Sequence, residues 1–401
     1  MVKDFIKYVG PGLLITVGFI DPGNWASNVA AGSYYGYKLL WMVTLSTIML
    51  IILQHSAAKF GIVTGKSLSE AATCYLNPYL SKFILIGAFL ASISTALAEI
   101  LGGAIALNML FNINFKLGAF IISVISFIMI YTNSYNKLEK WIICFVSLIG
   151  FCFIFELALV DIEWKSAALG WVCPSFPKDS IPIIMSVLGA VVMPHNLFLH
   201  SEIIQNKNFN LYNKEIFKKQ ITFEFLDTLF SMIIGWAINS AMIIVAATAF
   251  FENGIGVEKL EQAKVLLKPI LGEAASFVFA LALLFSGLSS SITAGISGGV
   301  IYSGLFKKTY NVKQKETKIG IISTFLVSLF IIFFIKNTFK GLVISQIILS
   351  LQLPFTVFLV IYLTSSKKIM GEYENNLIFK ILLWCIGIVV VIFNILLVFK
   401  I

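Results

Sequence analysis

The sequence has no arginine, three histidines and only 12% charged residues over 401 positions. Soluble globular chains carry roughly a quarter charged residues, so this shortage excludes a water-soluble domain of ordinary composition. Cysteine is scarce and unpatterned. Cys74, Cys144, Cys152, Cys173 and Cys385 are odd in number and never spaced CxxC, which argues against a disulfide framework or a thiolate metal site. The histidines show no HExxH-like spacing and no nucleophile stands with a base. An intramembrane hydrolase or acyl transferase is therefore not expected: the chain reads as a non-enzyme without a resident cofactor.

What remains is apolar. Hydrophobic residues make up 59% of the chain and aromatics 14%, including 36 Phe, and the mean hydropathy is +0.93. At roughly 20 residues per crossing, this composition predicts an all-α polytopic membrane protein. Eleven spans are expected, at about 9–36, 39–60, 82–111, 117–133, 140–160, 180–206, 220–251, 271–306, 318–336, 341–364 and 376–400. All 29 basic residues are Lys and the formal charge is +9. Nineteen of them fall in one set of alternating loops when the N-terminus is placed inside. That bias predicts a cytoplasmic N-terminus and an external C-terminus, and it makes the excess charge an orienting signal rather than a nucleic-acid surface. The first twenty residues resemble a signal peptide, but cleavage would discard a membrane segment, so they are expected to be retained. The stretch 256–270 is amphipathic and is expected to form an external helix of its own.

Two spans are interrupted near their middles, the first at Asp21-Pro22-Gly23-Asn24 and the sixth at Met193-Pro194-His195-Asn196. Proline removes a backbone donor and glycine loosens the chain, so both helices should unwind and expose polar backbone that lipid cannot satisfy. Ordinary proline kinks explain each break alone. They do not explain the matched positions together with a carboxylate, an amide, a thioether and an imidazole. The breaks lie five spans apart, an odd number, which predicts two repeats of opposite topology, residues 1–160 and 180–364, followed by a peripheral eleventh span within 365–401. Broken helices in corresponding places of inverted repeats point to a transporter's central substrate site.

Asp21 is an ionisable group at bilayer depth and calls for a cation, a proton or a partner. Its structural alternative is a carboxylate bonded to unwound amides of the sixth span. Asn24 offers an amide oxygen three residues on. Met193 discriminates: a thioether has no use for hard Mg²⁺ or Ca²⁺ but suits Mn²⁺, Fe²⁺, Co²⁺ or Cd²⁺ beside oxygen donors. The Ala190 carbonyl is freed because Pro194 cannot donate to it. Asp21, Asn24, the Ala190 carbonyl and Met193 thus form a mixed O/S site for a divalent cation. Glu99, in an apolar span, reads equally as a functional or a structural group, whereas His195 abuts the site and suits a proton relay. His55 and His200 read as packed helix residues, Asp227 as an anchor for the seventh span, and Glu156 as an interfacial group at the outer end of the fifth.

The DPGN of the first span and MPHNLFLHS (193–201) of the sixth resemble the paired signatures of the Nramp family, proton-coupled transporters of divalent transition metals. GIVTGKSLSEA (61–71), LAEILGGAIALNMLF (97–111), GFCFIFELAL (150–159), ALLFSGLSSSITAG (282–295) and SQIILSLQLPF (345–355) are similar as well. The resemblance implies a leucine-transporter-like fold, in agreement with the inverted repeats, in a plasma-membrane protein expected to be monomeric whose partners are divalent metal ions, protons and the lipid bilayer. It implies that Asp21, Asn24, Ala190 and Met193 bind metal, that Gln346 joins them in an occluded state, and that His195 and Glu99 belong to a proton-linked network. Mn²⁺ or Fe²⁺ is then the cargo, with Cd²⁺ and Co²⁺ also accepted. The chain departs from the family pattern at Ala96, where an acid is usual, at Leu288 and Gly299, where Gln is usual, and at Lys313, Gln314 and Lys318, where Arg is expected. The metal set is intact and the proton path depleted, so coupling is expected to be weak or altered. The competing expectation is an amino-acid transporter of the same fold, which an anionic Asp21 in the substrate's carboxylate position disfavours.

Overall fold

The computed structural model describes residues 10–133, 135–207, 209–257 and 260–399. The first nine residues, with Lys3 and Lys7 of the orientation count, lie outside them, as do Lys259 and Lys400. Among the described residues there are helices and no strands. That is the solution open to an apolar chain whose backbone groups must bond within each segment.

The first expected span is two helices, α1 (Pro11–Gly18) and α2 (Pro22–Tyr35). A single 3₁₀ turn, Gly36–Leu39, leads to α3 (Leu40–Thr64). A short surface helix, α4 (Leu68–Tyr75), starts at a capping box in which Ser67 and Glu70 satisfy each other's backbone amides. Then come α5 (Pro78–Phe111), α6 (Phe115–Thr132), α7 (Tyr135–Leu157) and the short α8 (Trp164–Val172). The sixth span is again divided, into α9 (Ile181–Val191) and α10 (Pro194–Ile203). It is followed by α11 (Lys214–Ala246), α12 (Leu260–Gly304), α13 (Lys315–Ile332), α14 (Thr338–Thr364), the single turn α15 (Lys367–Met370) and α16 (Leu377–Phe399).

Nine helices among the described residues are long and apolar enough to cross a membrane. The difference from eleven has two causes. The unbroken run Pro22–Thr64 joins half of the first span to the second. In α13 the first turn carries Lys315, Glu316 and Lys318, too much charge for a purely apolar window. The separate amphipathic helix expected at 256–270 is corrected: from Leu260 onward the chain belongs to α12, a rod of 45 residues, about 67 Å long at 1.5 Å per residue. No turn separates the two parts, so the helix simply continues past the span.

The broken sixth span lies deepest, with 83% of its apolar window buried against 28% for α16. Around it α9 packs on α14, α2 on α11, and α5 on α12. These three seams put both breaks at the centre of the molecule.

Candidate metal-ion site

At the first break Asp21 is extended (φ −78°, ψ 165°) and caps α2, its Oδ1 accepting the backbone N–H of Asn24 at 2.6 Å. Pro22 at the first helical position has no amide to leave unsatisfied. The carbonyls freed at the end of α1 are taken up by side chains from elsewhere. Asn239 Nδ2 donates to the Phe19 carbonyl at 2.9 Å, and Ser286 Oγ and Trp25 Nε1 donate to that of Ile20 at 2.6 and 3.2 Å. At the second break Met193 is extended (φ −74°, ψ 115°) ahead of Pro194. Pro194 leaves the Ala190 carbonyl without its helical donor, and that oxygen instead accepts Asn24 Nδ2 at 2.8 Å.

The same Asn24 Nδ2 donates to Asp21 Oδ1 at 2.7 Å. A carboxylate oxygen from one break and a carbonyl oxygen from the other therefore converge on one point, which the Asn24 amide fills. Half a turn of that amide replaces its N–H₂ with Oδ1, and three oxygens then face one position. Asp21, Asn24, Ala190, Met193 and Gln346 are all fully buried. Among the described residues, Asp21 Oδ2, Asn24 Oδ1 and Gln346 Oε1 have no hydrogen-bond donor, which in a dry interior is costly unless a cation uses them. Gln346 reaches the centre because two glycines let α14 approach. A Cβ on Gly23 would lie 1.7 Å from Gln346 Nε2, and one on Gly189 would lie 2.0 Å from the Gln346 backbone oxygen. Met193 stands at the break, its sulfur accepting Asn196 Nδ2 at 3.5 Å and its side chain packed with Ala91 and Leu349.

Glu99 of α5 adjoins this set, its carboxyl lying beside that of Asp21. Two carboxylates held side by side away from water repel each other, so the pair favours keeping one proton. Ser290 Oγ of α12 donates to Glu99 Oε2, and Oε1 has no partner among the described residues. His195, by contrast, is bonded to neither acid. Its Nδ1 pairs with Thr95 Oγ1 at 3.2 Å, its backbone oxygen accepts Ser297 Oγ at 2.9 Å, and its Nε2 has no partner.

Thr95, Asn239, Ser286, Ser290 and Ser297 are supports that the sequence reading passed over. Their signal was a polar side chain on an apolar span. Asp227 anchors the seventh span as expected, its carboxylate accepting the amides of Gly10 at 3.2 Å and Gly12 at 2.8 Å ahead of and within α1. Three expectations change. His55 bonds Glu224 Oε2 through Nδ1 at 2.6 Å, and His200 bonds Gln54 Oε1 at 2.9 Å, so both belong to a polar network and are not mere packed residues. Glu156, at the end of α7, is 1% exposed and so buried within the protein rather than on its surface, with neither oxygen partnered among the described residues.

The chain matches the Natural resistance-associated macrophage protein-like (Nramp) family over residues 12–400. It is 35% identical over 382 residues to the divalent metal cation transporter MntH of Caldanaerobacter subterraneus subsp. tengcongensis, covering 94% of this chain and 88% of that one. It is 36% identical over 402 residues to the MntH of Nostoc sp., covering 97% and 90%. Among solved structures, the Eremococcus coleocola manganese transporter superposes with a TM-score of 0.88 at 27% identity, covering 98% of this chain and 86% of that one. Mhp1, a nucleobase-cation-symport-1 family transporter, superposes with a TM-score of 0.66 at 15% identity over 95% and 90%, a likeness of fold alone. The fold is the leucine-transporter-like one that two broken helices led us to expect, and the chain belongs to the Nramp family.

Proposed function

We propose that this chain imports divalent transition-metal ions, Mn²⁺ or Fe²⁺ foremost and Cd²⁺ and Co²⁺ as well, across the plasma membrane by alternating access. One observation carries the reading: oxygens from both broken helices converge at Asn24, with Asp21 Oδ2, Asn24 Oδ1 and Gln346 Oε1 lacking donors around them. Asp21 supplies the negative charge, Asn24 and the Ala190 carbonyl supply neutral oxygens, and Met193 supplies the sulfur that favours transition metals over Ca²⁺ and Mg²⁺. Gln346 closes over the ion from α14. The relatives' transport of divalent metal cations and of manganese supports the cargo.

In the same reading, residues 1–160 and 180–364 are the inverted repeats that rock about the site, and 365–401 lie beside them. The N-terminus is cytoplasmic, the C-terminus is external, and the unit is a monomer. A cation arriving at Asp21 displaces any proton held by the adjacent Asp21 and Glu99 carboxyls, since metal ligation requires the deprotonated carboxylate. With Ala96 one turn before Glu99, the adjoining turn of α5 has no titratable group, and coupling is weak or takes another exit through His195. An amino-acid substrate fits less well, because its carboxylate would meet that of Asp21.

The test is Asp21→Ala. Calorimetric Mn²⁺ binding and vesicle uptake should both vanish, because a dication in a low-dielectric site loses its main compensation. Binding at close to the parent affinity would move the site elsewhere.

A further inference from the structure

The seam between α2 and α11 repeats, one turn farther along α2, the construction of the metal site. Asn28 follows Asn24 by four residues, about 6 Å along the helix axis. Its Nδ2 donates to Asn239 Oδ1 at 2.6 Å and to Met242 Sδ at 3.5 Å, as Asn24 Nδ2 does to Asp21 Oδ1 and the Ala190 carbonyl. Asn239 keeps its oxygen toward Asn28, because its own Nδ2 is committed to the carbonyls of Phe19 and Gly235, both at 2.9 Å. Asn28 and Asn239 are fully buried and Met242 is 2% exposed. Asn28 Oδ1 has no donor among the described residues. Half a turn of the Asn28 amide brings that oxygen to where its N–H₂ stands, and two amide oxygens and a thioether then face one position.

A brace between two helices needs the Asn28–Asn239 bond alone. It leaves unexplained a buried amide oxygen without a donor, which is costly in a dry interior, and a sulfur placed on the same amide. The seam is close without a brace, since a Cβ on Gly32 would lie 2.4 Å from the Ile243 backbone oxygen. After rotation the set presents no donor to an anion and too few oxygens to Ca²⁺ or Mg²⁺, whereas two neutral oxygens and a soft sulfur suit a transition-metal dication. Two carboxyls are at hand to balance its charge. Asp21 caps the same helix. Glu156 is the other: its helix α7 lays Phe153 on Trp25 of α2, ring centroids 4.9 Å apart, and a Cβ on Gly150 would lie 3.9 Å from Ile238 of α11. Counted from that contact at 1.5 Å per residue, Glu156 and Met242 differ by about 3 Å in height. Glu156 is buried with neither oxygen partnered among the described residues.

We propose that Asn28, Asn239 and Met242 form a second, weaker site for a divalent transition metal, its charge balanced by Asp21 and Glu156. With the N-terminus cytoplasmic, α2 and α11 both run toward the external face, so an incoming ion rests here one turn before it reaches Asn24. The ion meets a thioether at this station and again at Met193, and hard cations are disfavoured twice. The transit role rests on the transport reading; binding of a soft dication does not.

The experiment counts Cd²⁺ bound by the full chain in detergent by equilibrium dialysis, with the exposed Cys74, Cys144, Cys173 and Cys385 alkylated so that their thiols do not contribute, and measures Mn²⁺ uptake in vesicles. The parent should bind two Cd²⁺, the second at least about tenfold more weakly, since none of its ligands is charged. Met242→Leu keeps the volume and removes the sulfur. It should abolish the second equivalent, retain the first, which shows that the variant is folded, and raise KM for Mn²⁺ about threefold to tenfold with little change in kcat. Asn28→Asp should tighten the second equivalent and lower KM. In a mere brace the new carboxylate would face Asn239 oxygen to oxygen, lowering the thermal midpoint and leaving KM as it was. One Cd²⁺ per parent chain, a second equivalent that survives Met242→Leu, or the brace outcome for Asn28→Asp each overturns the proposal. A second equivalent lost in Met242→Leu, with no metal uptake by the parent in any vesicle, refutes the transport reading and leaves the second site standing.

Discussion

At the scale of single residues, the site divides into groups that carry charge and groups that choose the ion. Asp21 does the first and Met193 the second. Met193 is fully buried and packs with Ala91 and Leu349, so its replacement mixes two effects, loss of sulfur and loss of volume. Met193→Ala should keep Mn²⁺ transport at a reduced rate while millimolar Ca²⁺, nearly inert against the parent, becomes a strong competitor, because water can take the sulfur's place. Met193→Leu separates the effects. It restores volume at a cost under about 1.5 kcal/mol and excludes that water, so Mn²⁺ affinity should fall without a gain in Ca²⁺ competition. Equal Ca²⁺ competition in the parent would show that the thioether is no filter. Asp21, Asn24, Ala190 and Met193 were legible in the sequence because proline and glycine beside a polar residue in an apolar span are rare and local. Ser290 was not. It stands in the run Ser289-Ser290-Ser291, and all three hydroxyls bond carbonyls of the preceding turn at 2.6 Å. That habit makes serine unremarkable in a membrane helix; only the tertiary placement of α5 brings Glu99 to the middle one.

At the scale of elements, the breaks work because neighbouring helices supply what the unwound backbone lost. Asn239 and Ser286 hold the end of α1, and Asp227 holds its beginning. The half-helix is thus fixed at both ends by side chains of α11 and α12. The fold was legible to this level because span length and the two interruptions are written in composition, whereas helix continuity is not. The segment 256–270 has an amphipathic pattern, and the same pattern describes a separate surface helix or the protruding end of α12. The approach of α14 to the site is equally invisible in one dimension, since it depends on Gly189 lying opposite the Gln346 backbone. Gly189→Ala is the corresponding prediction. The added methyl would meet a backbone oxygen at 2.0 Å, which cannot rotate away as a side chain can. Overpacking of this kind costs about 1–3 kcal/mol. Transport should fall sharply while the thermal midpoint drops only a few degrees, since the seam can open to relieve the clash but then Gln346 no longer closes on the ion. Uptake equal to the parent would show that α14 need not approach so closely.

At the scale of the whole molecule, the question is what drives a cation inward once the proton path is thinned. Glu99 and Asp21 lie side by side in the dry interior, where like charges favour one proton on the pair, so a proton is expected to leave when a dication arrives. Its way onward is poor, because α5 offers Ala96 one turn before Glu99 and the start of α13 offers lysines in place of guanidinium groups. His195 bonds Thr95 and does not reach the acid pair. A proton that leaves by the side on which the metal arrived carries no driving force. Membrane potential supplies enough without it: two charges crossing 100 mV gain about 4.6 kcal/mol, equivalent to a concentration ratio above roughly a thousandfold. We therefore expect Mn²⁺ uptake into liposomes to rise steeply with inside-negative potential, with little dependence on a pH gradient at clamped potential. Simultaneous recording of metal influx and internal pH decides the matter. Acidification in fixed proportion to Mn²⁺, abolished by His195→Ala or Glu99→Gln, would show that the two protonatable groups form a complete relay. Metal influx at constant internal pH would mean that Asp21 exchanges its proton locally and that the field alone moves the ion.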